Sequence, residues 1–136
     1  MPIETPSTKT PNLYSDFRDD FMIHPIKKDL IAIKDADSVK QSIKNLLLVG
    51  PYERRFRPNI GSGLKKYLFE LVTPVTATLI RTSIIRVIQT YEPRAELLDV
   101  SVTVSPDQNS YSATITFRII NNINPITFTQ ILERIR

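Results

Sequence analysis

Residues 98–119, LDVSVTVSPDQNSYSATITFRI, contain two runs in which apolar and polar residues alternate. The apolar positions are Leu98, Val100, Val102 and Val104 in the first run, and Tyr111, Ala113, Ile115, Phe117 and Ile119 in the second. Residues two apart lie on the same face of a strand, and the polar residues between the runs are typical of a turn. The pattern predicts an antiparallel hairpin with one buried face.

The segment after the hairpin, Pro125 to Ile135, has apolar residues on both parities. Ile126, Phe128 and Leu132 share one parity, and Ile131 and Ile135 share the other. A strand with two apolar faces requires neighbours on both faces, because exposed apolar surface is unfavourable in water. We therefore expect this segment to be a strand that joins the hairpin in a small sheet.

A first helix is predicted before the hairpin, from about Ala36 to Val49, because its apolar residues recur at helical spacing. Asp35 or Asp37 is a candidate N-cap. Gly50 and Pro51 end the pattern.

Two further helices are predicted between residues 62 and 92. Residues 62–71 have leucines at the spacing of a short helical turn. The longer helix has Thr73 as its N-cap and Pro74 in its first turn, and it ends near Glu92 because Pro93 disfavours a helical residue before it.

Together these elements predict an α+β fold, in which two or three helices pack on one side of a small antiparallel sheet formed by the hairpin and the terminal strand. Residues 1–13 contain three prolines among small polar residues and are predicted to be a flexible arm. Residues 14–136 are predicted to be a single domain. Near its start, seven apolar residues are expected to pack short extended segments onto the core: Phe17, Phe21, Met22, Ile23, Leu30, Ile31 and Ile33.

Composition excludes several classes of function. The longest purely apolar run, Leu46 to Val49, is far shorter than the roughly 20 residues of a membrane span, and no signal peptide is expected. The absence of Cys and the single His exclude a disulfide framework, thiol catalysis and a structural zinc cluster. Residues 51–94 hold eight Lys and Arg against three Asp and Glu, which favours an anionic partner: nucleic acid, an anionic surface or an acidic protein.

Few residues are candidates for catalysis. The single histidine, His24, precedes a proline and is interpreted as a loop residue, and the Gly61–Gly63 segment is interpreted as a turn that leads into a helix. Glu92, Glu96 and Asp99 are the only clustered acids near a predicted corner, and they are a weak signal for a glycosidase pair.

Residues 51–61 form a Pro-bounded loop that mixes arginines with aromatic residues. The predicted contact residues of this loop are Tyr52, Glu53, Arg54, Arg55, Phe56, Arg57 and Pro58. Arg and aromatic residues are enriched in protein interfaces, and similar mixtures bind single-stranded nucleic acid. The composition favours a protein interface over a nucleic-acid site.

The second candidate contact is Tyr91–Arg94 at the end of the long helix. Pro93 stiffens this corner and places Glu92 and Arg94 on it. Arg94 could make a bidentate contact with a carboxylate of a partner, or it could form an internal ion pair that stabilises the corner.

Several short motifs occur in a characteristic order. They are Asn45-Leu46-Leu47-Leu48, Glu53-Arg54, Arg57-Pro58 with Gly61 and Gly63-Leu64, Leu68-Phe69-Glu70, and Glu92-Pro93-Arg94. In this combination the chain, from about Tyr14 to Arg136, resembles the gene-25-like baseplate wedge family of contractile-tailed bacteriophages, which also includes a baseplate component of type VI secretion systems. Pro51-Tyr52 departs from the glycine that many members have before Glu-Arg.

The resemblance implies a structural, non-enzymatic virion protein of the tail baseplate, assembled in the host cytoplasm. Its partners would be the tail sheath protein and other wedge proteins in a sixfold assembly, with no cofactor, metal or membrane. As a sheath initiator it would supply a sheet edge or a strand for β-strand addition. The residues assigned to strand addition are Ile126, Phe128, Gln130 and Leu132, and those assigned to the wedge core are Glu92, Pro93 and Arg94.

Two other functions remain as alternatives. One is a peptidoglycan-cleaving, lysozyme-like hydrolase in which Glu92 and Glu96 would be the acids. The other, which is less favoured, is a nucleic-acid-binding module that would use Tyr52 and the loop arginines.

Overall fold

The computed structural model describes residues 14–120 and 122–135 and confirms the α+β class. The elements are β1 (Ser15–Phe17), β2 (Ala32–Lys34), α1 (Ala36–Leu48), α2 (Leu64–Leu68), α3 (Pro74–Tyr91), β3 (Ala95–Ser105), β4 (Ser110–Ile119) and β5 (Ile126–Glu133). The predicted arm, residues 1–13, lies outside the described residues. Within the described ranges, no helix combines the length and the apolar character needed to cross a bilayer.

The helices follow the predicted pattern, with one difference at a cap. Thr73 caps α3 as predicted, because its hydroxyl oxygen accepts the N–H of Thr76 at 3.2 Å. Asp35 occupies the N-cap position of α1, but its carboxylate makes no capping hydrogen bond and instead accepts the N–H of Tyr14 at 3.2 Å. The Asp35 side chain therefore joins the start of the described chain to α1.

Two antiparallel sheets are present in the described residues, one formed by β1 and β2 and the other by β3, β4 and β5 in that order. The predicted hairpin is confirmed as β3–β4, and the terminal segment pairs with β4 as β5. One prediction on this sheet is wrong. A bulge between Leu97 and Asp99 reverses the parity, so that Leu97 packs against the core and Leu98 is 48% exposed.

The core lies between the helices and one face of the three-stranded sheet. α3 packs on β3, and alternate residues of β4 point toward the helices. The fully buried side chains of this layer include Ile43, Ile80, Ile84, Ile88, Tyr111, Ile115 and Phe117. The other face of β4 carries Ser112, Thr114, Thr116 and Arg118, as the alternation predicts.

The prediction that the apolar residues of this segment pack onto the core is wrong for Phe17, Phe21, Met22 and Ile23, each of which is more than half exposed, whereas Leu30, Ile31 and Ile33 are half-buried. This segment folds back on itself through β1 and β2 and through a bridge between Ile23 and Leu30. Its backbone groups are paired with each other in a narrow two-stranded hairpin, which leaves the larger side chains outside the core.

Candidate protein-binding sites

The corner at Tyr91–Arg94 contains a buried ion pair. α3 ends at Tyr91, and Glu92 turns into the structure with 3% of its side chain exposed. Arg94 Nε donates to Glu92 Oε1 at 2.7 Å, and Arg94 Nη2 donates to Glu92 Oε2 at 3.1 Å. This bidentate geometry is the strongest form of an Arg–carboxylate contact. The hydrogen bond with Glu92, opposed by desolvation, raises the pKa of the Arg94 guanidinium.

The Glu92 carboxylate also connects the corner to α1. Ser42 Oγ donates to Glu92 Oε2, so that one carboxylate joins α1, the end of α3 and the start of β3. The ring of Tyr14 lies 5.4 Å from the Arg94 guanidinium carbon and adds a cation–π contact. Sequence analysis did not identify Ser42, because it is 50 residues from Glu92 and carries no motif of its own.

This geometry separates the roles of the three residues assigned to the wedge core. Glu92 is fully engaged inside the corner, whereas Pro93 is exposed and the Arg94 side chain is 29% exposed. Any contact with a partner at this corner would therefore be made by Pro93 and the outer part of Arg94, while Glu92 positions Arg94.

The loop of residues 51–61 is closed at its base by a close approach of two backbone segments. A Cβ atom on Gly61 would lie 2.7 Å from the Gly50 carbonyl carbon and from the Pro51 nitrogen, so only glycine fits there. Ser62 N–H donates to Val49 O at 3.1 Å, and Ser62 Oγ donates to Leu47 O at 2.7 Å. The Gly61–Gly63 segment is therefore a structural turn, as interpreted from the sequence.

The side chains of this loop are presented to solvent. Phe56 is 101% exposed and Tyr52 is 83% exposed, and both have left-handed backbone angles, with φ of 67° and 66° respectively. Such angles are unfavourable for residues with a Cβ atom and are concentrated at functional sites. The exposed arginines of the loop are Arg54, Arg55 and Arg57.

Glu53 anchors the loop. One of its oxygens pairs with the Lys65 ammonium, and the other accepts the N–H of Gly50 at 2.9 Å. The hydrogen bond from Lys65, followed by that from Gly50, lowers the pKa of Glu53 from its ordinary value of 4.5. Among the predicted contact residues, Glu53 thus holds the loop through its side chain, and Tyr52 and Pro58 close it through a backbone hydrogen bond of 3.0 Å.

A pH titration tests this anchor. The folded pKa of Glu53 is depressed, so the anchoring interaction is fully present above the unfolded pKa and is lost as the pH falls through the folded pKa. We expect the amide proton resonance of Gly50 to move upfield with a midpoint below pH 4.5. The Glu53→Gln variant is the control and should show no such transition. A titration midpoint at or above 4.5, the ordinary pKa of this carboxyl, in the wild-type chain would contradict the role of Glu53 as an anchor of the loop.

β5 forms one edge of the three-stranded sheet and pairs with β4 from Ile126 to Glu133. The side chains assigned to strand addition, Ile126, Phe128, Gln130 and Leu132, all point toward the helices and are half-buried or buried. They fix the register of β5 in its own sheet. The parts of β5 that remain accessible to a partner are therefore its backbone edge and the alternate, outward-facing residues Thr127, Thr129 and Ile131.

The acids of the hydrolase alternative are both held by arginines. Glu92 pairs with Arg94 inside the corner, and Glu96 pairs with Arg118 on the outer face of the sheet. A general acid needs a carboxylic acid that is free to donate a proton to a substrate, whereas each of these carboxylates is engaged by a guanidinium.

His24 shapes a turn. Its Nδ1 accepts the N–H groups of Ile26 and Lys27, each at 3.2 Å. The structure thus agrees with the loop interpretation of this residue.

Comparison with known proteins identifies relatives across most of the chain. A family profile described as baseplate wedge protein gp25 matches residues 34–124. The baseplate wedge protein gp25 of Enterobacteria phage T4 is 32% identical over 114 residues, which cover 84% of this chain and 86% of the phage protein.

Two solved structures have a similar fold. One is a protein of Geobacter sulfurreducens proposed to be a tail lysozyme, with a TM-score of 0.66, 23% identity, and coverage of 74% of this chain and 91% of that one. The other is a chain of the anti-feeding prophage baseplate, determined by cryo-electron microscopy with sixfold symmetrisation; it has a TM-score of 0.62, 20% identity, and coverage of 90% and 87%. At these identities both similarities concern the fold alone.

Proposed function

The chain belongs to the gp25 family of baseplate wedge proteins, and from that premise we propose that it joins the wedge core of a tail baseplate to the contractile sheath and starts sheath assembly by β-strand addition. In this proposal the protein is structural and not an enzyme. It acts in a sixfold assembly whose partners are the sheath protein and other wedge proteins, and it is assembled in the host cytoplasm.

The observation that carries this proposal is the difference between the two edges of the three-stranded sheet. Natural proteins block edge strands with bulges, charges or covering side chains. The β3 edge has a bulge after Leu97, and Arg81 Nε donates to Val100 O at 2.6 Å. β5 has a continuous register with β4, without a bulge, and its one charged residue, Glu133, lies at its end. Of the two edges, β5 is the one suited to accept a strand.

The hydrogen bonds at the end of β5 indicate which residues face the open edge. The N–H of Arg134 donates to Asn109 O at 3.0 Å and continues the β4–β5 ladder by one pair. Hydrogen-bonded pairs alternate along an antiparallel ladder, so Thr127, Thr129 and Ile131 direct their backbone groups away from β4. Gln130 Nε2 donates to Ile131 O at 3.0 Å, so a strand added here would take the place of this side chain at the outward carbonyl.

An apolar cleft lies beside the second half of this edge. It has a volume of about 200 Å³ and lies between the leucines of α1 and α2 and the end of β5. Leu48 and Ile131, which line it, are 47% and 58% exposed. A strand added to β5 could bury an apolar side chain in this cleft, which would add specificity to the backbone hydrogen bonds.

Thr129→Pro tests the open edge. Proline removes the outward N–H of residue 129 and leaves the β4–β5 hydrogen bonds in place, so we expect the chain to fold. We expect sheath initiation to fall by about tenfold or more, because strand addition depends on a continuous row of backbone hydrogen bonds. The measurement is the number of sheathed tubes per baseplate, counted in electron micrographs of reconstituted tails.

Thr129→Ala is the matched control, since it removes the same side chain and keeps the N–H. It should start sheaths at the wild-type rate. If Thr129→Pro does not fold, Thr127→Pro makes the same test at the next outward position. A folded proline variant that starts sheaths as well as Thr129→Ala would refute addition at β5.

A further inference from the structure

A cleft of about 210 Å³ lies between the loop of residues 51–61, α1 and the end of α3. Its polar lining residues are Asp16, Ser42, Asn45, Arg54, Arg57 and Tyr91. An engineered cavity of about 150 Å³ holds a benzene ring, so this cleft has room for one amino-acid side chain. We refer to it as the arginine cleft.

The guanidinium groups of the two arginines in the cleft are available to bind a ligand. Across residues 14–120 and 122–135, neither the Arg54 nor the Arg57 guanidinium has an ion pair or a hydrogen bond. Asp16, the acid of the cleft, accepts the N–H of Phe17 at 2.8 Å. Tyr91 donates its hydroxyl to Asn59 O at 2.6 Å, which ties the loop to α3 and holds the arginines beside α1.

The loop around the cleft also concentrates the charge of the chain. Residues 51–66 contain five basic residues and one acidic residue, so their net charge equals the +4 of the entire chain. A surface of this kind attracts anionic groups over a distance of about one Debye length, roughly 8 Å at physiological ionic strength.

We propose that the arginine cleft binds the carboxylate of an aspartate or glutamate side chain of a neighbouring wedge protein. Arg54 and Arg57 supply two guanidinium forks, whose geometry matches a carboxylate, and Asn45 offers a further amide donor. This inference rests on the proposed function, because it takes the partner to be another protein of the baseplate.

The lining of the cleft favours a side-chain carboxylate over a strand of nucleic acid. Its formal charge of +1, from two arginines and Asp16, would be neutralised equally by a carboxylate or by one backbone phosphate, so the choice rests on the aromatic residues. Nucleic acid would need several rings on which successive bases stack. In the part of the chain that the structure describes, Tyr91 is the one aromatic residue in the lining of the cleft, whereas Tyr52 lines a second cavity beside the loop and Phe56 projects into solvent.

Single glutamine substitutions test the inference with matched charge. The probe is a terminally blocked peptide of six glutamates, titrated at low salt into the full chain while the arginine Nε–H resonances are followed by NMR. We expect Arg54→Gln and Arg57→Gln each to weaken binding by about tenfold, the cost of a lost charge-assisted hydrogen bond. Arg55→Gln removes the same charge from the same loop, but residue 55 does not line the cleft, and it should change binding by less than about twofold.

Equal losses of peptide affinity in all three variants would overturn the proposal, because they would indicate that the charge of the whole loop, and not the cleft, attracts the peptide. Tighter binding of inorganic phosphate or of an oligothymidylate, or no binding of the glutamate peptide, would also overturn it. Incorporation into tails separates this inference from the function on which it rests. If the wild-type chain is absent from purified tails, the proposed function is refuted. If Arg54→Gln and Arg57→Gln enter tails at the wild-type level, only the binding of a partner carboxylate in the cleft is refuted.

Discussion

Phe117→Ala is expected to lower the free energy of unfolding by about 4 kcal/mol, the usual cost of removing a buried phenylalanine. Phe117 is fully buried in the central strand β4 and packs edge to face on Phe128, with ring centroids 6.1 Å apart. β4 is hydrogen-bonded on both sides, to β3 and to β5, so the backbone cannot move inward to fill the space. A cavity that cannot collapse gives a cost near the upper end of the range.

Urea unfolding followed by circular dichroism measures this loss. Phe56→Ala is the matched control, since it removes the same side chain from a residue that is 101% exposed, and its effect should lie within about 0.5 kcal/mol of zero. Equal effects at the two positions would mean that β4 does not occupy the centre of the sheet.

Glu92→Ala is expected to lower the free energy of unfolding by about 3 kcal/mol, because the partly buried Arg94 guanidinium loses its counter-charge. The Arg94 guanidinium would lose both hydrogen bonds to the carboxylate, and Ser42 would lose its acceptor. Three elements, α1, α3 and β3, would then be joined less firmly at this corner. Thermal and urea unfolding of the purified chain give the value.

The exposed pair of Glu96 and Arg118 provides the comparison for this prediction. Glu96 is 53% exposed, and Glu96→Ala should cost less than about 1 kcal/mol, as is usual for surface ion pairs. A double-mutant cycle on Glu92 and Arg94 isolates their coupling, which we expect to be favourable. If Glu92→Ala keeps the wild-type stability and only weakens wedge assembly, the carboxylate contacts a partner and the internal pair is not its main role.

The internal pair changes what a mutation of the corner would mean. From the sequence alone, loss of assembly in Arg94→Ala would indicate a lost contact with the wedge core. In the structure the same substitution also leaves the Glu92 carboxylate buried without its cation, so stability and assembly should fall together. Stability and assembly must therefore both be measured for the same variant. Together they distinguish a contact between Arg94 and a partner from the internal stabilisation of the corner by Arg94.

The alternation of residues 98–119 was sufficient to predict the hairpin, and the stripe of α3 was sufficient to predict a long helix that begins at Thr73 and ends before Pro93. These features depend on burial of one face of a local element, and that requirement is recorded in the spacing of apolar residues. The bulge at Leu98 was missed, because an extra residue in one strand is defined by its partner strand and leaves no mark in the periodicity.

The composition of the loop predicted an anionic or protein partner, and the Glu-Pro-Arg motif predicted a stiff corner; both are properties of consecutive residues. The tertiary structure alone decided that Glu92 turns inward to Ser42, that the β3 edge is bulged while β5 keeps a continuous register, and that two loop arginines share a cleft with α1. Each of these depends on side chains from distant segments arriving at one place, and their separation along the chain carries no periodic signal. Local patterning thus determined the elements, whereas packing between them determined which groups remain available to a partner.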